Sequence, residues 1–263
     1  MTSDTINALP SSWRRRLAGK SIVPVATGMG GALVFRVTGK QQDCEYLKVG
    51  TGPVADILKR EVERTQWLAA AGIQVPQVIA HFADADIAAL LMSSVGEQTA
   101  EDIPSADWKP AIAAIGRAFA HLHSLPLDTC PFDETLTVRL SRAYGLVQSG
   151  EIDPSHFDER NAGVTPESLY ERLQANVPER EDCVVTHGDA SLSNVIMGHD
   201  GRVGFIDCGH AGRADRYVDL SVLVSELEDR FGPQARGTFM AAYGDLRWEN
   251  RKAEFYRDLY ELF

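Results

Sequence analysis

The sequence predicts an α+β fold of two lobes: a small antiparallel sheet with one helix, then a larger, mainly helical lobe. Three observations carry this. Runs rich in strand formers dominate the first ninety residues. One helical stripe interrupts them, from about Ala55 to Ala71. Beyond Ser93-Ser94-Val95-Gly96 the apolar residues recur at helical spacing instead. The boundaries that follow are residues 1–92 for the first lobe, 93–97 for a connector and 98–263 for the second.

Taken in order, Ile22 to Ala26 and Ala32 to Val37 read as strands on either side of Thr27-Gly28-Met29-Gly30-Gly31. A polar turn, Gly39 to Asp43, leads to the strand Glu45 to Val49. Gly-Thr-Gly-Pro then breaks the chain before the helix, and two short strands follow, Gln77 to Phe82 and Ile87 to Met92, around an Asp-Ala-Asp turn. In the second lobe Ile112, Ile115, Phe119 and Leu122 make a helical stripe within Pro110 to His123. Leu140 to Ser149 and Pro166 to Asn176 read as helices, Glu181 to His187 and Arg202 to Asp207 as short strands around a loop. Asp219 to Phe263 is mostly helical, broken near Phe231-Gly232-Pro233 and Tyr243-Gly244. A cleft between two such lobes is a natural ligand site.

The composition sets outer limits. The chain has 263 residues, 44% hydrophobic and 24% charged, which excludes disordered and collagen-like classes. Its 37 acidic against 26 basic residues leave a formal charge of −11, which argues against nucleic acid or an anionic membrane as partner; it is compatible with a cationic ligand, while a solvated acidic surface is the plainer reading. Cys44, Cys130, Cys183 and Cys208 form no CxxC pair, so neither a zinc site nor a redox motif is indicated. Reduced cysteines are expected in a chain large enough to need no staples. Trp13-Arg14-Arg15-Arg16 precedes no apolar stretch of the kind a secretory signal has, and Ile87 to Met92 is too short to span a bilayer. A cytoplasmic protein is expected.

The most informative segment is Thr186-His187-Gly188-Asp189-Ala190-Ser191-Leu192-Ser193-Asn194, followed thirteen residues on by Asp207 in Gly204-Phe205-Ile206-Asp207-Cys208-Gly209. Phosphoryl transfer to a hydroxyl needs one carboxylate to orient the hydroxyl proton and oxygen ligands to hold magnesium against the phosphates. Asp189 fits the first role. Asn194, five residues later, and Asp207, at a strand end, fit the second. A lone His-x-Asp is a weak signal; the ordered set with a strand before each part is a strong one.

These residues resemble the aminoglycoside phosphotransferases, and most of all the aminoglycoside 3′-phosphotransferases. Val184 to Asp189, Gly204 to Gly209, Ala214-Asp215-Arg216-Tyr217, His121-Leu122-His123, Cys130-Pro131-Phe132 and the ending Tyr260-Glu261-Leu262-Phe263 carry the likeness, which covers nearly the whole chain and is weaker in the first lobe. The resemblance implies a protein-kinase-like fold, ATP and Mg2+ as cofactors, and transfer of the γ-phosphate to an aminoglycoside hydroxyl.

The first lobe then reads as nucleotide-binding. Thr27, Gly28, Gly30 and Gly31 form a loop that could fold over phosphates, although from the residues alone a plain hairpin turn is the stronger reading. Lys48 is charged within an apolar strand, and Glu61 shares a helical stripe with Ile57 and Leu68 while Glu63 points elsewhere. An inward Glu61 needs a cation, and Lys48 supplies one, as in the Lys–Glu pair that positions ATP in kinases. By resemblance the backbone of Met92-Ser93 meets the adenine, and Asp219 braces the loop of Asp189. His187, His121 and His123 are expected as core histidines.

The acceptor is a polycation, so its site should be lined with acids. Resemblance assigns this role to Asp158 and Glu159, Asp229, Glu261 and the carboxylate of Phe263, with Asp189 at the reacting hydroxyl. Three positions depart from the family: His210 and Ser225 stand where Arg is usual, and Tyr260 where an acid is expected. They bear on which aminoglycosides are accepted. A kinase of another small alcohol, of the choline, homoserine or macrolide type, and a non-catalytic ligand-binding protein on a kinase scaffold are the alternatives. A monomer is expected, with the oligomeric state open.

Overall fold

The computed structural model describes residues 2–25, 31–39, 44–96, 98–104, 106, 108–198 and 201–263. It divides into two compact units, Met1–Glu97 with Gly204–Gly209, and Gln98–Val203 with His210–Phe263.

The first unit opens with two short helices, α1 (Thr2–Ala8) and α2 (Ser11–Leu17), which the sequence pattern did not announce. Five antiparallel strands follow: β1 (Ser21–Pro24), β2 (Leu33–Thr38), β3 (Cys44–Thr51), β4 (Val78–Ala83) and β5 (Ile87–Ser93), in the order β1-β2-β3-β5-β4. The helix α3 (Pro53–Ala70) lies between β3 and β4 in sequence. It starts on Pro53, whose fixed φ suits a first helical position, and Gly72 at φ +85° turns the chain out of its end.

Alternation along β5 explains how the sheet is covered. Ala89 and Leu91 join Phe35, Val37, Leu47 and Val49 in a core with Leu9, Trp13 and Leu17 of the N-terminal segment. Ala88, Leu90 and Met92 face the other way and pack on Ala55, Leu58 and Val62 of α3. Successive strand residues point to opposite faces, so a strand buried on both sides reads as a continuous apolar run. That run demanded a second cover, and α2 provides it with Trp13 inward and Arg14, Arg15 and Arg16 in solvent.

The segment Gly204–Gly209 falls in the range 98–263 that the sequence assigns to the second lobe, but it packs with the first unit. The Phe205 N–H donates to the Gln74 carbonyl at 2.8 Å. Gly204 is closed in by Val95 and Gln74, leaving no room for a side chain.

The second unit contains α4 (Trp108–His123), α5 (Leu136–Ser149), α6 (Pro166–Ala175), α7 (Tyr217–Phe231), α8 (Gln234–Tyr243) and α9 (Asn250–Tyr260). The breaks expected near residues 231–233 and 243–244 are the ends of α7 and α8. Its short strands pair antiparallel: β6 (Gln98–Thr99) with β8 (Val195–Met197), and β7 (Cys183–Thr186) with β10 (Gly212–Asp215). The strand β9 spans Val203–Phe205, of which Gly204 and Phe205 belong to the first unit. The core around Tyr217, Leu169, Tyr256, Leu259 and Leu262 fixes α9 against α7 and α6.

His123 is buried, as expected, but His121 is exposed. Residues two apart on a helix point to different sides, so α4 cannot bury both. Among the described residues no helix is long and apolar enough to cross a membrane.

Candidate active site

In the first unit the site is built around Lys48. Its neighbours on β3, Leu47 and Val49, fill the core beneath α2, so Lys48 is turned to the face that carries α3. There Lys48 Nζ donates to Glu61 Oε1 at 2.7 Å, and both side chains are buried. Lys48 also pairs with the carboxylate of Asp207. Two carboxylates thus neutralise one buried ammonium, and the helical stripe that placed Glu61 inward is the reason the pair forms.

Asp207 is held at φ +60°, the single non-glycine residue with positive φ among the described residues. Left-handed backbone costs a non-glycine residue on the order of 1–2 kcal/mol and persists where surroundings enforce it. Its side chain stays 44% exposed, so the carboxylate can take a further ligand besides Lys48. Beneath it burial pushes the Cys208 thiol up to about 12, with Glu61 adding to the effect, so Cys208 is an inert core residue.

Of the residues assigned to the nucleotide, Thr27, Gly28 and Gly30 lie outside the described residues. Gly31 has φ +71° and faces Val54. Met92 is buried against Val62 and Leu90. The Ser93 N–H already donates to the Gln77 carbonyl at 3.0 Å, which leaves it unfree to read a base.

In the second unit the chain leaves β7 into the loop 187–194. Asp219, on the first turn of α7, accepts the His187 N–H and the Gly188 N–H, each at 2.7 Å. His123 Nε2 bonds the same oxygen that takes the His187 N–H, Oδ2, at 3.0 Å. Full burial alone would raise the Asp219 carboxyl, but the His123 bond, the nearby imidazoles and the Gly188 N–H hold it below its ordinary value. Gly188 has φ +87°, and a side chain there would run into the His210 carbonyl. Buried Arg139 donates to the Gly188 carbonyl at 3.1 Å. The loop is therefore fixed from above and below before any ligand arrives.

That loop presents Asp189 and Asn194. The Asn194 Nδ2 donates to the Asp189 carbonyl and to Asp189 Oδ2, both at 3.0 Å. With its nitrogen committed to Asp189, the Asn194 amide turns its oxygen the other way. An amide oxygen and the exposed Asp207 carboxylate are hard oxygen donors of the kind magnesium takes. Asp189 Oδ1 accepts the Tyr260 hydroxyl at 2.7 Å.

Glu226 was not anticipated. It accepts the Leu192 N–H at 2.6 Å, and burial, with Glu101, Asp189 and Asp158 near, pushes its carboxyl up to about 7. The signal lay in the spacing: Glu226 follows Asp219 by seven residues, two turns along the same face of α7. Asp229 instead is exposed.

The acidic stretches near residues 158–159 and 258–263 do meet. Glu261 accepts the Asp158 N–H at 3.0 Å and the Asn161 Nδ2 at 3.2 Å. Burial raises its carboxyl despite these bonds. Asp158 is paired with Arg257 at 2.8 Å, and Glu159 is exposed. The Phe263 ring lies against the guanidinium groups of Arg139 and Arg142. His210 is pushed down to about 4 by burial and by Arg139, so it is neutral where an arginine would carry charge.

Residues 21–256 match the model of the phosphotransferase enzyme family. An aminoglycoside 3′-phosphotransferase of Streptomyces fradiae is 33% identical over 96% of this chain and 99% of its own. The crystal structure of aminoglycoside-3′-phosphotransferase of type VIII superposes with a TM-score of 0.91 at 33% identity, covering 99% of this chain and 98% of that one. The aminoglycoside phosphotransferase APH(3'')-Id of Streptomyces rimosus, solved with ADP and streptomycin, superposes with a TM-score of 0.83 at 30% identity, covering 95% of each chain.

Proposed function

The chain belongs to the phosphotransferase enzyme family, and from that membership we propose that it transfers the γ-phosphate of ATP to the 3′-hydroxyl of aminoglycoside antibiotics, conferring resistance to them. The observation that carries this reading is the braced loop with Asp189 at its tip, in a chain that is similar end to end to 3′-phosphotransferases. A loop so tied can hold a base in place without reorganisation.

In this reading Asp189 orients the acceptor hydroxyl and accepts its proton as the oxygen attacks. Asn194 and Asp207 would hold magnesium, which when bound neutralises charge on the phosphates. Lys48, placed by Glu61, holds the α/β-phosphates. Thr27, Gly28, Gly30 and Gly31 cover them, and the carbonyl side of Met92-Ser93 meets the adenine. Asp158, Glu159, Asp229, Glu261 and Phe263 form the acidic surroundings for the amines, and Glu226 joins them as an acid in touch with the loop. Cytoplasmic location and a monomeric state complete the proposal.

Replacing Asp189 tests it. Asp189→Ala should lower kanamycin phosphorylation by about 10³-fold or more, the upper range for a general base. ATP binding should stay nearly intact. Retained turnover would remove Asp189 from the mechanism, and equal turnover of a 3′-deoxy analogue would remove the 3′-hydroxyl as the acceptor.

A further inference from the structure

Asp189 carries a donor on each of its oxygens. Asn194 occupies Oδ2 at 3.0 Å and the Tyr260 hydroxyl occupies Oδ1 at 2.7 Å. A general base must lie within about 2.6–3.2 Å of the hydroxyl it deprotonates. Tyr260 therefore makes to Asp189 the contact that an acceptor hydroxyl has to make. We propose that Tyr260 is a stand-in for the acceptor: its phenol caps the proton-accepting oxygen of Asp189 until the aminoglycoside hydroxyl displaces it, and so suppresses transfer of phosphate to water. The proposal rests on Asp189 being the base.

Two features fit this role. Burial and the adjacent Asp189 raise the Tyr260 phenol above its ordinary range, so it stays protonated and remains a donor. The backbone around it is anchored: Leu259 and Leu262 are buried in the core, and Glu261 is tied to Asp158 and Asn161. Displacement is thus a rotation of one side chain, with the helix end staying where it is. Water is the most abundant hydroxyl donor. In the reaction held back, the bond between the γ-phosphorus and ADP breaks, a bond to water oxygen forms and the water proton passes to Asp189, giving ADP and phosphate. An aminoglycoside outcompetes the phenol because it brings amines to the surrounding acids, whereas water brings nothing further.

The test measures magnesium-dependent ATP hydrolysis without acceptor beside kanamycin phosphorylation. Tyr260→Phe keeps the ring and deletes only the hydroxyl. The ratio of hydrolysis to phosphorylation should rise about tenfold, the worth of one hydrogen bond to a charged group. Loss of folded enzyme lowers both activities in proportion and leaves the ratio alone, so an unchanged or smaller ratio overturns the proposal. Tyr260→Phe with Asp189→Ala should return hydrolysis to background. Hydrolysis that persists in the double variant runs without Asp189 and also overturns it. Kanamycin phosphorylation surviving in Asp189→Ala alone would instead sink the assignment of the base.

Discussion

The Asp219 carboxylate grips Gly188: Oδ1 accepts the Gly188 N–H at 2.7 Å, while Oδ2 takes the neighbouring His187 N–H at the same distance. The side chain comes from the first turn of α7, thirty-one residues further along the chain. The left-handed turn at Gly188, just before Asp189, is therefore held by a carboxylate from α7.

Asp219→Ala should destabilise the protein by about 3–5 kcal/mol, since it leaves two buried N–H groups and His123 without their shared acceptor. Urea unfolding measures the loss. The native Asp219 carboxyl lies below its ordinary 3.8, so its contribution is complete above that pH and is lost as pH falls through the native value. The variant should lack that part of the acid sensitivity.

Glu226 gives the opposite sign. Its carboxyl is raised from 4.5 to about 7, so between those values the native state binds more protons than the unfolded chain. Stability should therefore fall as pH rises through that window. Glu226→Gln keeps an acceptor for the Leu192 N–H and removes the slope. At pH 8 it should be about 3 kcal/mol more stable than the wild type, with the gain vanishing below pH 4.5. Thermal melts across that range decide the matter, and parallel curves would show that Glu226 titrates normally.

Lys48 is enclosed by Glu61 and Asp207. Lys48→Ala should lower kcat/KM for ATP by about a hundredfold or more, as loss of a preorganised phosphate contact does. Lys48→Arg should not restore it, because the buried slot beside Glu61 fits a compact ammonium and not a planar fork. Kanamycin binding in the absence of nucleotide, followed by thermal shift, should be retained in both.

The strands and helices were legible because their signals are local. Runs of strand formers marked β2, β3 and β5, and the stripe through Ile57, Glu61 and Leu68 turned Glu61 inward on α3. Breaks at Gly232 and Gly244 ended α7 and α8 where expected. The two N-terminal helices were not legible. Seven residues each is too short for a periodic pattern, and they are held by burial of Leu9, Trp13 and Leu17 on a sheet formed later in the chain.

The sequence by itself determined the order of elements and the candidate site groups: Asp189, Asn194, Asp207, Lys48 and Glu61, each at a spacing set by a turn or a helix period. Tertiary structure alone decided what those groups touch. It joined Gly204–Gly209 to the first unit, put Glu226 rather than Asp229 on the loop, and brought Tyr260 to Asp189 across seventy-one residues of chain. Periodicity fixes which face a side chain shares with its near neighbours. It carries no information on how α7 and α9 pack, and that packing sets the partners of a carboxylate in the second unit.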